Sequence, residues 1–266
     1  MTRLSPDADL LQSVVAIALE AGAAALTVYA GAFEVDEKAD ASPVTAADRL
    51  CEEIILKRLA TIAPDTPVLA EESAADGRIP QLGDSFFLVD PLDGTREFIN
   101  RNGEFTVNIA LVQDGRPVLG AVYAPAIGRL YAGGTGLGAW RMDIEANGEI
   151  GARRQIAARP VPQKELIAVA SRSHRSPETD ELLKTLAVAD FTAAGSSLKF
   201  CLVAEGAADV YPRLGRTMEW DTGAGQAVLE AAGGQVVVHP EGDPLIYGKA
   251  ARGFDNPHFI AWGRRA

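Results

Sequence analysis

The segment Asp90-Pro91-Leu92-Asp93-Gly94-Thr95 contains the residues of this chain that are best suited to chemistry. It follows the apolar run 85–89, which predicts a buried strand, so both carboxylates stand at the carboxyl end of that strand. Two carboxylates about 4 Å apart repel each other by roughly 4 kcal/mol at an effective dielectric of 20. Such a pair favours protonation or a divalent cation, and its hard oxygen donors select Mg²⁺. Gly94 then allows the backbone to turn, so that the amides at the start of a following helix face an anion.

Further carboxylates lie near the ends of other predicted elements. An acidic loop is expected over 71–73, with Glu71 and Glu72, and Asp221 precedes a Gly-rich helix predicted over 222–232. Asp48 follows Thr45 by three residues. Each position has a structural alternative, because the loop could be a solvated surface, Asp221 is a good helix N-cap, and Asp48 with Thr45 makes a capping box. The residues alone leave both roles open.

The N-terminal half reads as helices followed by hairpin-connected strands. An amphipathic helix is expected with Ser5 as N-cap and Pro6 in its first turn, and a second helix over 45–62. Short strands are predicted at 67–70, 85–89, 105–112, 117–123 and 130–131. This order predicts an antiparallel sheet with helices on one face, which is an α+β arrangement.

The C-terminal half alternates strands and helices, which is typical of an α/β unit. Strands are predicted at 166–170, 191–193, 209–211, 235–238 and 259–262, and helices at 177–186, 197–205 and 222–232. The boundary is placed near Pro162, giving domains 1–162, with most of the candidate metal ligands, and 163–266, with substrate-specificity residues and Asp221. An active site is expected in the cleft between them.

Composition restricts the partners. The chain has 266 residues and a formal net charge of −11, and so acidic a surface argues against binding nucleic acid or anionic lipid through a general basic face. Two cysteines and three histidines are too few and too scattered for a thiolate or imidazole metal cage. Cys51 and Cys201 fall in helix-like apolar stretches, which indicates buried free thiols and a reducing cytoplasm.

Acidic residues flank the apolar stretch 10–19, so we expect a helix of the fold there and no signal peptide. We also expect that no uninterrupted apolar segment is long enough to span a membrane.

Four segments of the chain resemble the inositol monophosphatase superfamily and occur in its order: 38–48, 70–73, 90–95 and 219–225. Within it, the chain is similar to the 3'(2'),5'-bisphosphate nucleotidases of CysQ type, on the segments 42–45, 101–108, 195–201 and 211–213. The resemblance implies a layered αβαβα fold and lithium-sensitive, Mg²⁺-dependent hydrolysis of 3'-phosphoadenosine 5'-phosphate to AMP and phosphate. That reaction clears a by-product of sulfate assimilation. Relatives of this type have been associated with the cytoplasmic face of the inner membrane, although the sequence supplies no amphipathic basic anchor.

The same resemblance assigns roles around the metals. It implies two or three Mg²⁺ ions. Their ligands would be the main-chain carbonyl of Leu92 and four carboxylate side chains: Glu71, Asp90, Asp93 and Asp221. Thr95 and Asp48 would orient and deprotonate the attacking water, with Glu71 also in the catalytic group. Thr95 could instead cap the helix that it opens, and the two roles can coexist. The amides of Gly94 and Thr95 would bind the phosphate being cleaved.

Substrate selection is expected in the second domain. Gly195, Ser196, Ser197 and Lys199 form a small polar turn before a helix, suited to a second phosphate or a ribose, and Arg213 stands at a strand end. A nucleotide with two phosphates needs cations for the phosphate that the metals do not reach. His174 and Arg172 lie in a polar basic loop, for which a solvated surface is an equal alternative. The predicted substrate-binding set also includes Glu71, Leu92, Asp93, Gly94, Thr95 and Asp221.

Three other functions are alternatives to this one. An inositol phosphatase or fructose bisphosphatase would use the same metals, and the segment 195–199 argues against it. A haloacid-dehalogenase phosphatase needs Asp-x-Asp, but Leu92 stands two residues after Asp90 and Pro91 two residues before Asp93. A non-catalytic nucleotide sensor should lack a ligand or the water-activating pair, and all those positions are filled. Whether the chain is a monomer or a homodimer stays open.

Overall fold

The computed structural model describes residues 3–37, 43–170 and 177–265, and these ranges form seven α-helices and fourteen strands. The helices are α1 Ala8–Ala30, α2 Ala46–Ile62, α3 Glu71–Ala75, α4 Thr95–Ile99, α5 Pro177–Thr185, α6 Leu198–Ala204 and α7 Gly223–Ala231. The strands of the first half are β1 Val35–Glu37, β2 Pro43–Thr45, β3 Val68–Ala70, β4 Ser85–Asp93, β5 Thr106–Gln113, β6 Arg116–Ala124, β7 Arg129–Gly134, β8 Gly138–Asp143 and β9 Arg154–Ile156. Those of the second half are β10 Leu166–Ala170, β11 Val188–Ala193, β12 Val210–Arg213, β13 Gln235–Val238 and β14 Phe259–Trp262.

The first sheet has seven strands in the order β3-β4-β5-β6-β7-β8-β9. β3 is parallel to β4, and the later neighbours are antiparallel. Side chains alternate along β4, so that Phe87 and Val89 pack toward α1 and α2 whereas Phe86 and Leu88 pack toward α6 and α7. Both faces of this sheet are therefore covered by helices.

The prediction of helices on one face of this sheet was wrong, because α7 covers the second face. A Cβ on Gly120 of β6 would lie 2.7 Å from the Ala224 carbonyl oxygen of α7, so glycine is what permits this close approach. α7 is buried along nearly its whole length, and its two polar side chains, Gln226 and Glu230, are hydrogen-bonded inside the fold. Small and apolar residues cover the rest of the helix, so its sequence does not indicate which side turns toward the first sheet.

The second sheet has five strands in the order β11-β10-β12-β14-β13. Its first three strands are parallel, and β14 runs antiparallel to both β12 and β13. On one face Tyr211 and Phe259 pack with α6 and α7, and on the other Val210 and Ile260 pack with Leu183 of α5. The layers are thus α1/α2, first sheet, α6/α7, second sheet and α5, which confirms the layered αβαβα fold. The domain boundary near Pro162 stays a prediction; it falls between β9 of the first sheet and β10 of the second.

Several local predictions are corrected. The N-cap of α1 is Asp7 and not Ser5, because the Asp7 carboxylate accepts from the Leu10 amide at 3.0 Å. The expected acidic loop 71–73 is the start of α3, and β8 and β9 were not predicted.

α1 is long and apolar enough to span a membrane by length and composition, so the contrary expectation was wrong. In the fold its apolar face packs against α2 and the first sheet.

Both cysteines are buried free thiols, as predicted. The Cys51 thiol donates to the Ala21 carbonyl oxygen at 3.2 Å and thereby joins α2 to α1. Burial raises the pKa of Cys51 to about 12 and the pKa of Cys201 well above its usual value. Both side chains therefore pack as small neutral groups in the core.

Candidate active site

The acidic motif lies where β4 leaves the first sheet, as predicted. Asp90 pairs with Asn108 of β5 and Asp93 pairs with Thr106, and the register shifts between these two pairs. This bulge turns the strand so that residues three apart present carboxylates at the same sheet end. The Asp90 side chain, 1% exposed, accepts from the Leu92 amide at 3.0 Å. The backbone itself thus fixes one of its oxygens.

Gly94 makes the turn after the motif, with a φ of +92°. A Cβ at this position would lie 2.3 Å from the Ser196 hydroxyl oxygen, so both conformation and space require glycine. Gly94 is also the N-cap of α4, which corrects the alternative in which Thr95 caps this helix. The Thr95 hydroxyl instead donates to Asp48 Oδ1 at 3.0 Å.

Asp48 is anchored on both of its oxygens. Oδ2 accepts from the Thr45 amide at 2.8 Å and from the Thr45 hydroxyl at 2.7 Å, which completes the predicted capping box of α2. Oδ1 remains directed at the Thr95 hydroxyl. Burial raises the pKa of Asp48, although the hydrogen bonds from Thr45 and Thr95 oppose that shift. The structural and the chemical readings of Asp48 are thus compatible, since each uses a different oxygen.

Glu71, the first residue of α3, lies among the other acidic side chains. Its charge acts on four neighbouring carboxyl groups, raising the pKa of each: Asp48, Asp90, Asp93 and Asp221. Burial is the largest cause of the raised pKa at Asp90, and the Glu71 charge is the next. Contact with the Glu71 side chain adds to this increase in the pKa of Asp90.

Asp221 reaches this group from the second half of the chain. The segment 218–222 holds its side chain in place, because Oδ2 accepts from the Met218 amide at 2.9 Å. Thr222 is the N-cap of α7, so the alternative role of Asp221 as that cap is corrected. Burial, Asp93 and Glu71 together raise the pKa of Asp221. The gathered carboxylates repel one another strongly enough to favour protons or a cation.

The donor set fits a hard divalent cation. The oxygen donors gathered here are carboxylates and the Leu92 main-chain carbonyl, which lies 3.5 Å from the Thr95 hydroxyl. Such oxygens are the ligands that Mg²⁺ and similar ions prefer. A cation there would offset the mutual repulsion of four of these carboxylates: Glu71, Asp90, Asp93 and Asp221. Within the described ranges, no three His, Cys, Asp or Glu side chains already surround a common point as a ligand set. The individual ligand assignments therefore stay predictions.

A cavity of about 110 Å³ opens beside Asp93 and Asp221. Its wall includes seven of the predicted site residues, contributed by both halves of the chain: Asp93, Gly94, Gly195, Ser196, Lys199, Arg213 and Asp221. It also includes five that were not among the predicted site residues, although the last three named here lie in the segments that carry the resemblance: Glu97, Thr217, Phe200, Tyr211 and Thr222. Glu97 follows Thr95 by two residues on α4, and only its proximity to the motif could have indicated it. Asp48, Glu71, Asp90, Leu92, Thr95 and Ser197 are not part of this wall.

Two cationic side chains stand in the cavity wall. Lys199 is buried, its Nζ donates to the Ser196 carbonyl oxygen at 2.6 Å, and it lies 5.5 Å from the centre of the Tyr211 ring. Burial lowers the pKa of Lys199 to about 8, while the charge of Asp93 opposes this shift. Arg213 donates through Nη2 to the Arg216 carbonyl oxygen at 2.7 Å, and its buried Nε has no hydrogen-bond partner among the residues that the structure describes. Arg213 thus keeps unused donor capacity beside the cavity.

The serines of the predicted polar turn bind the protein itself. The Ser196 hydroxyl lies 2.9 Å from the Asp93 carbonyl oxygen and 2.7 Å from that of Glu104. The Ser197 hydroxyl donates to the Asp221 carbonyl oxygen at 2.6 Å and lies 3.2 Å from Asp93 Oδ2. Both hydroxyls therefore connect the two halves of the chain at the candidate site. His174 and Arg172, predicted near the substrate, lie outside the described residues.

The chain is similar to known proteins both in sequence and in structure. The inositol monophosphatase family model matches residues 7–258. The 3'(2'),5'-bisphosphate nucleotidase CysQ of Escherichia coli strain K12 is 47% identical over 253 residues, which cover 94% of this chain and 98% of that protein. The crystal structure of CysQ from Bacteroides thetaiotaomicron superposes with a TM-score of 0.80 at 40% identity, covering 97% and 98% of the two chains. An inositol monophosphatase from Anabaena has a TM-score of 0.74 at 28% identity, covering 96% and 91%. The chain belongs to the inositol monophosphatase family.

Proposed function

We propose that this chain is a 3'(2'),5'-bisphosphate nucleotidase that hydrolyses 3'-phosphoadenosine 5'-phosphate to AMP and phosphate. The similarity to CysQ proteins supports the reaction. The observation that carries the proposal is the cavity in which Asp93 and Asp221 face Lys199 and Arg213. A substrate with two phosphates can place one beside the carboxylates, where metals would hold it, and the other beside the cations.

Metal dependence is general in this family, and we propose Mg²⁺, in two or three ions, as the cofactor here. The residues that would hold it are the carboxylates and carbonyl of Glu71, Asp90, Leu92, Asp93 and Asp221. Bound there, the ions would lower the pKa of a water and neutralise charge on the phosphate being cleaved. Substitution of Asp93 by Asn removes one such ligand and is expected to abolish turnover.

Asp48 and Thr95 provide a route for the proton of the attacking water. The Thr95 hydroxyl donates its proton to Asp48 Oδ1, so its oxygen lone pairs remain available to accept from a water. As the water loses a proton to Thr95, Thr95 passes its own to Asp48. Asp48 cannot turn away, because Thr45 holds its other oxygen with two hydrogen bonds.

The phosphate-binding role of the amides of Gly94 and Thr95 stays part of the proposal, since the turn exposes them at the start of α4. For the second phosphate we assign Lys199 and Arg213, since both line the cavity and Arg213 Nε is unpaired within the described part of the chain. Ser196 and Ser197 are given a different role from the predicted one. Because their hydroxyls are engaged by Asp93, Glu104 and Asp221, they shape the floor of the site.

A substrate panel tests this proposal. With Mg²⁺ present, the purified protein should release phosphate from 3'-phosphoadenosine 5'-phosphate much faster than from inositol 1-phosphate or fructose 1,6-bisphosphate. A higher kcat/KM for either competitor would overturn the substrate assignment. No release from any of the three would favour a non-catalytic sensor. A cytoplasmic location stays a prediction that this panel does not address.

A further inference from the structure

The short helix α3 begins without a cap of its own. Its N-cap residue is Ala70, whose methyl group cannot accept a hydrogen bond. The amides of the second and third helical residues, Glu72 and Ser73, therefore have no acceptor within their own segment. Because these residues are buried, leaving the amides unpaired would destabilise this turn of the chain.

A glutamate from another helix supplies the missing cap. Glu52 of α2 accepts from the Glu72 amide through Oε2 at 2.8 Å, and from the Ser73 amide through Oε1 at 2.8 Å. The Ser73 hydroxyl adds a third hydrogen bond to Oε1 at 2.6 Å. Glu52 is only 4% exposed, so its charge is offset by these three donors and by the positive end of α3. A buried carboxylate with this geometry fixes where α3 begins.

Glu71, a predicted metal ligand, is the first residue of α3. Glu52 lies one helical turn after Asp48 on α2, so the same helix carries Asp48 and clamps the segment that carries Glu71. Asp48 is in turn fixed by Thr45 and Thr95. α2 therefore sets the relative position of two carboxylates whose charges act on each other.

We propose that Glu52 is a positioning residue: by capping α3 it holds the Glu71 carboxylate in the place from which it binds the metal. This inference rests on the proposed metal role of Glu71. The groups that Glu52 contacts belong to α3, so its effect on the metal passes through that helix. Residues of this kind, which orient a ligand without binding the metal, typically change metal affinity about 10-fold to 100-fold when substituted.

The first experiment compares Glu52→Gln with Glu53→Gln, a neighbouring glutamate of α2 that is exposed. Terbium luminescence measures metal affinity without substrate, and circular dichroism measures folding and Tm. Glu52→Gln turns an amide NH₂ toward one of the two backbone amides, so we expect it to weaken Tb³⁺ binding at least 10-fold. Glu53→Gln should stay within twofold of the wild type. A folded Glu52→Gln protein with wild-type Tb³⁺ affinity would overturn the inference.

A double-mutant cycle separates positioning from general stability. If Glu52 acts through Glu71, then Glu52→Gln/Glu71→Gln should bind Tb³⁺ no more weakly than Glu71→Gln alone. Losses that add in the double variant would refute the positioning role. Wild-type affinity in Glu71→Gln would instead remove Glu71 from the metal site, which is a failure of the proposed function. Should Glu52→Gln not fold, Glu52→Asp keeps the charge but cannot span both amides, and the same thresholds apply to it.

Discussion

Asp48→Asn separates the chemical role of Asp48 from its structural one. In the wild type, Oδ2 accepts from the Thr45 amide and hydroxyl, and Oδ1 accepts from Thr95. The asparagine oxygen must take the Oδ2 position, because an NH₂ group there would face the Thr45 amide donor. The asparagine NH₂ then faces Thr95, whose hydroxyl has to accept a hydrogen bond in place of donating one. The cap survives, while the proton route from Thr95 is reversed.

The two consequences differ in size. Substitution of a capping group costs about 1 kcal/mol, and here the neutral oxygen retains most of the cap. For a chain of this length that lowers Tm by about 4 °C or less. Loss of a general base reduces the rate by about 10²-fold to 10⁴-fold, which corresponds to about 3 to 5 kcal/mol in the activation free energy. The rate of phosphate release should therefore fall by about 10²-fold or more in a protein that remains folded.

The assay measures kcat for phosphate release at saturating Mg²⁺ and substrate, beside Tm from circular dichroism. Thr95→Val is the matched variant, since it removes only the hydroxyl and leaves the capping box of α2 intact. We expect at least a 100-fold lower kcat in both variants. A folded Asp48→Asn protein that keeps more than a tenth of the wild-type kcat would refute the proton route described for Thr95.

Three further outcomes are expected. Lys199→Met should raise KM for the bisphosphate by about 10-fold to 100-fold, because it removes one charge-assisted hydrogen bond to the second phosphate. KM for 3'-AMP should change little. Equal effects on both substrates would contradict the second-phosphate role. Gly94→Ala should lower Tm and activity together, because the left-handed backbone costs about 1 to 2 kcal/mol and the methyl group collides with Ser196; an unchanged Tm would contradict this. Chelation with EDTA should abolish phosphate release, and added Mg²⁺ should restore it; activity that persists after exhaustive chelation would contradict metal dependence.

The sequence predicted those parts of the fold in which local pattern and local structure agree. β4 and its acidic end followed from an uninterrupted apolar run, and α2 followed from its capping box and helical spacing. The position of α7 did not, because a helix buried between two sheets is apolar or glycine on both packed sides, and periodicity does not tell which side meets which sheet. Strands β8 and β9 are the last two strands at one side of the first sheet, and their partly exposed residues give weak patterns.

In the candidate site, too, some residues could be predicted from the sequence and others could not. The carboxylates of the acidic motif could be found because they are neighbours in the chain. The partners of Ser196 and Ser197 are main-chain carbonyls about a hundred or about two dozen residues away, and a carbonyl carries no sequence signal. Glu52 looks like an ordinary helix-surface glutamate in the sequence, and only the placement of α3 explains why it is buried.

The Ser196 and Ser197 hydroxyls, both in the second half of the chain, lie 2.9 Å from the Asp93 carbonyl oxygen and 3.2 Å from Asp93 Oδ2, which belong to the first half. These contacts make the halves poor candidates for use as separate modules. A version split near Pro162, or one with a long insertion there, could retain both sheets and still lose the alignment of its carboxylates. Recombining halves from different relatives would meet the same obstacle unless the serine turn and the acidic motif were exchanged as one unit.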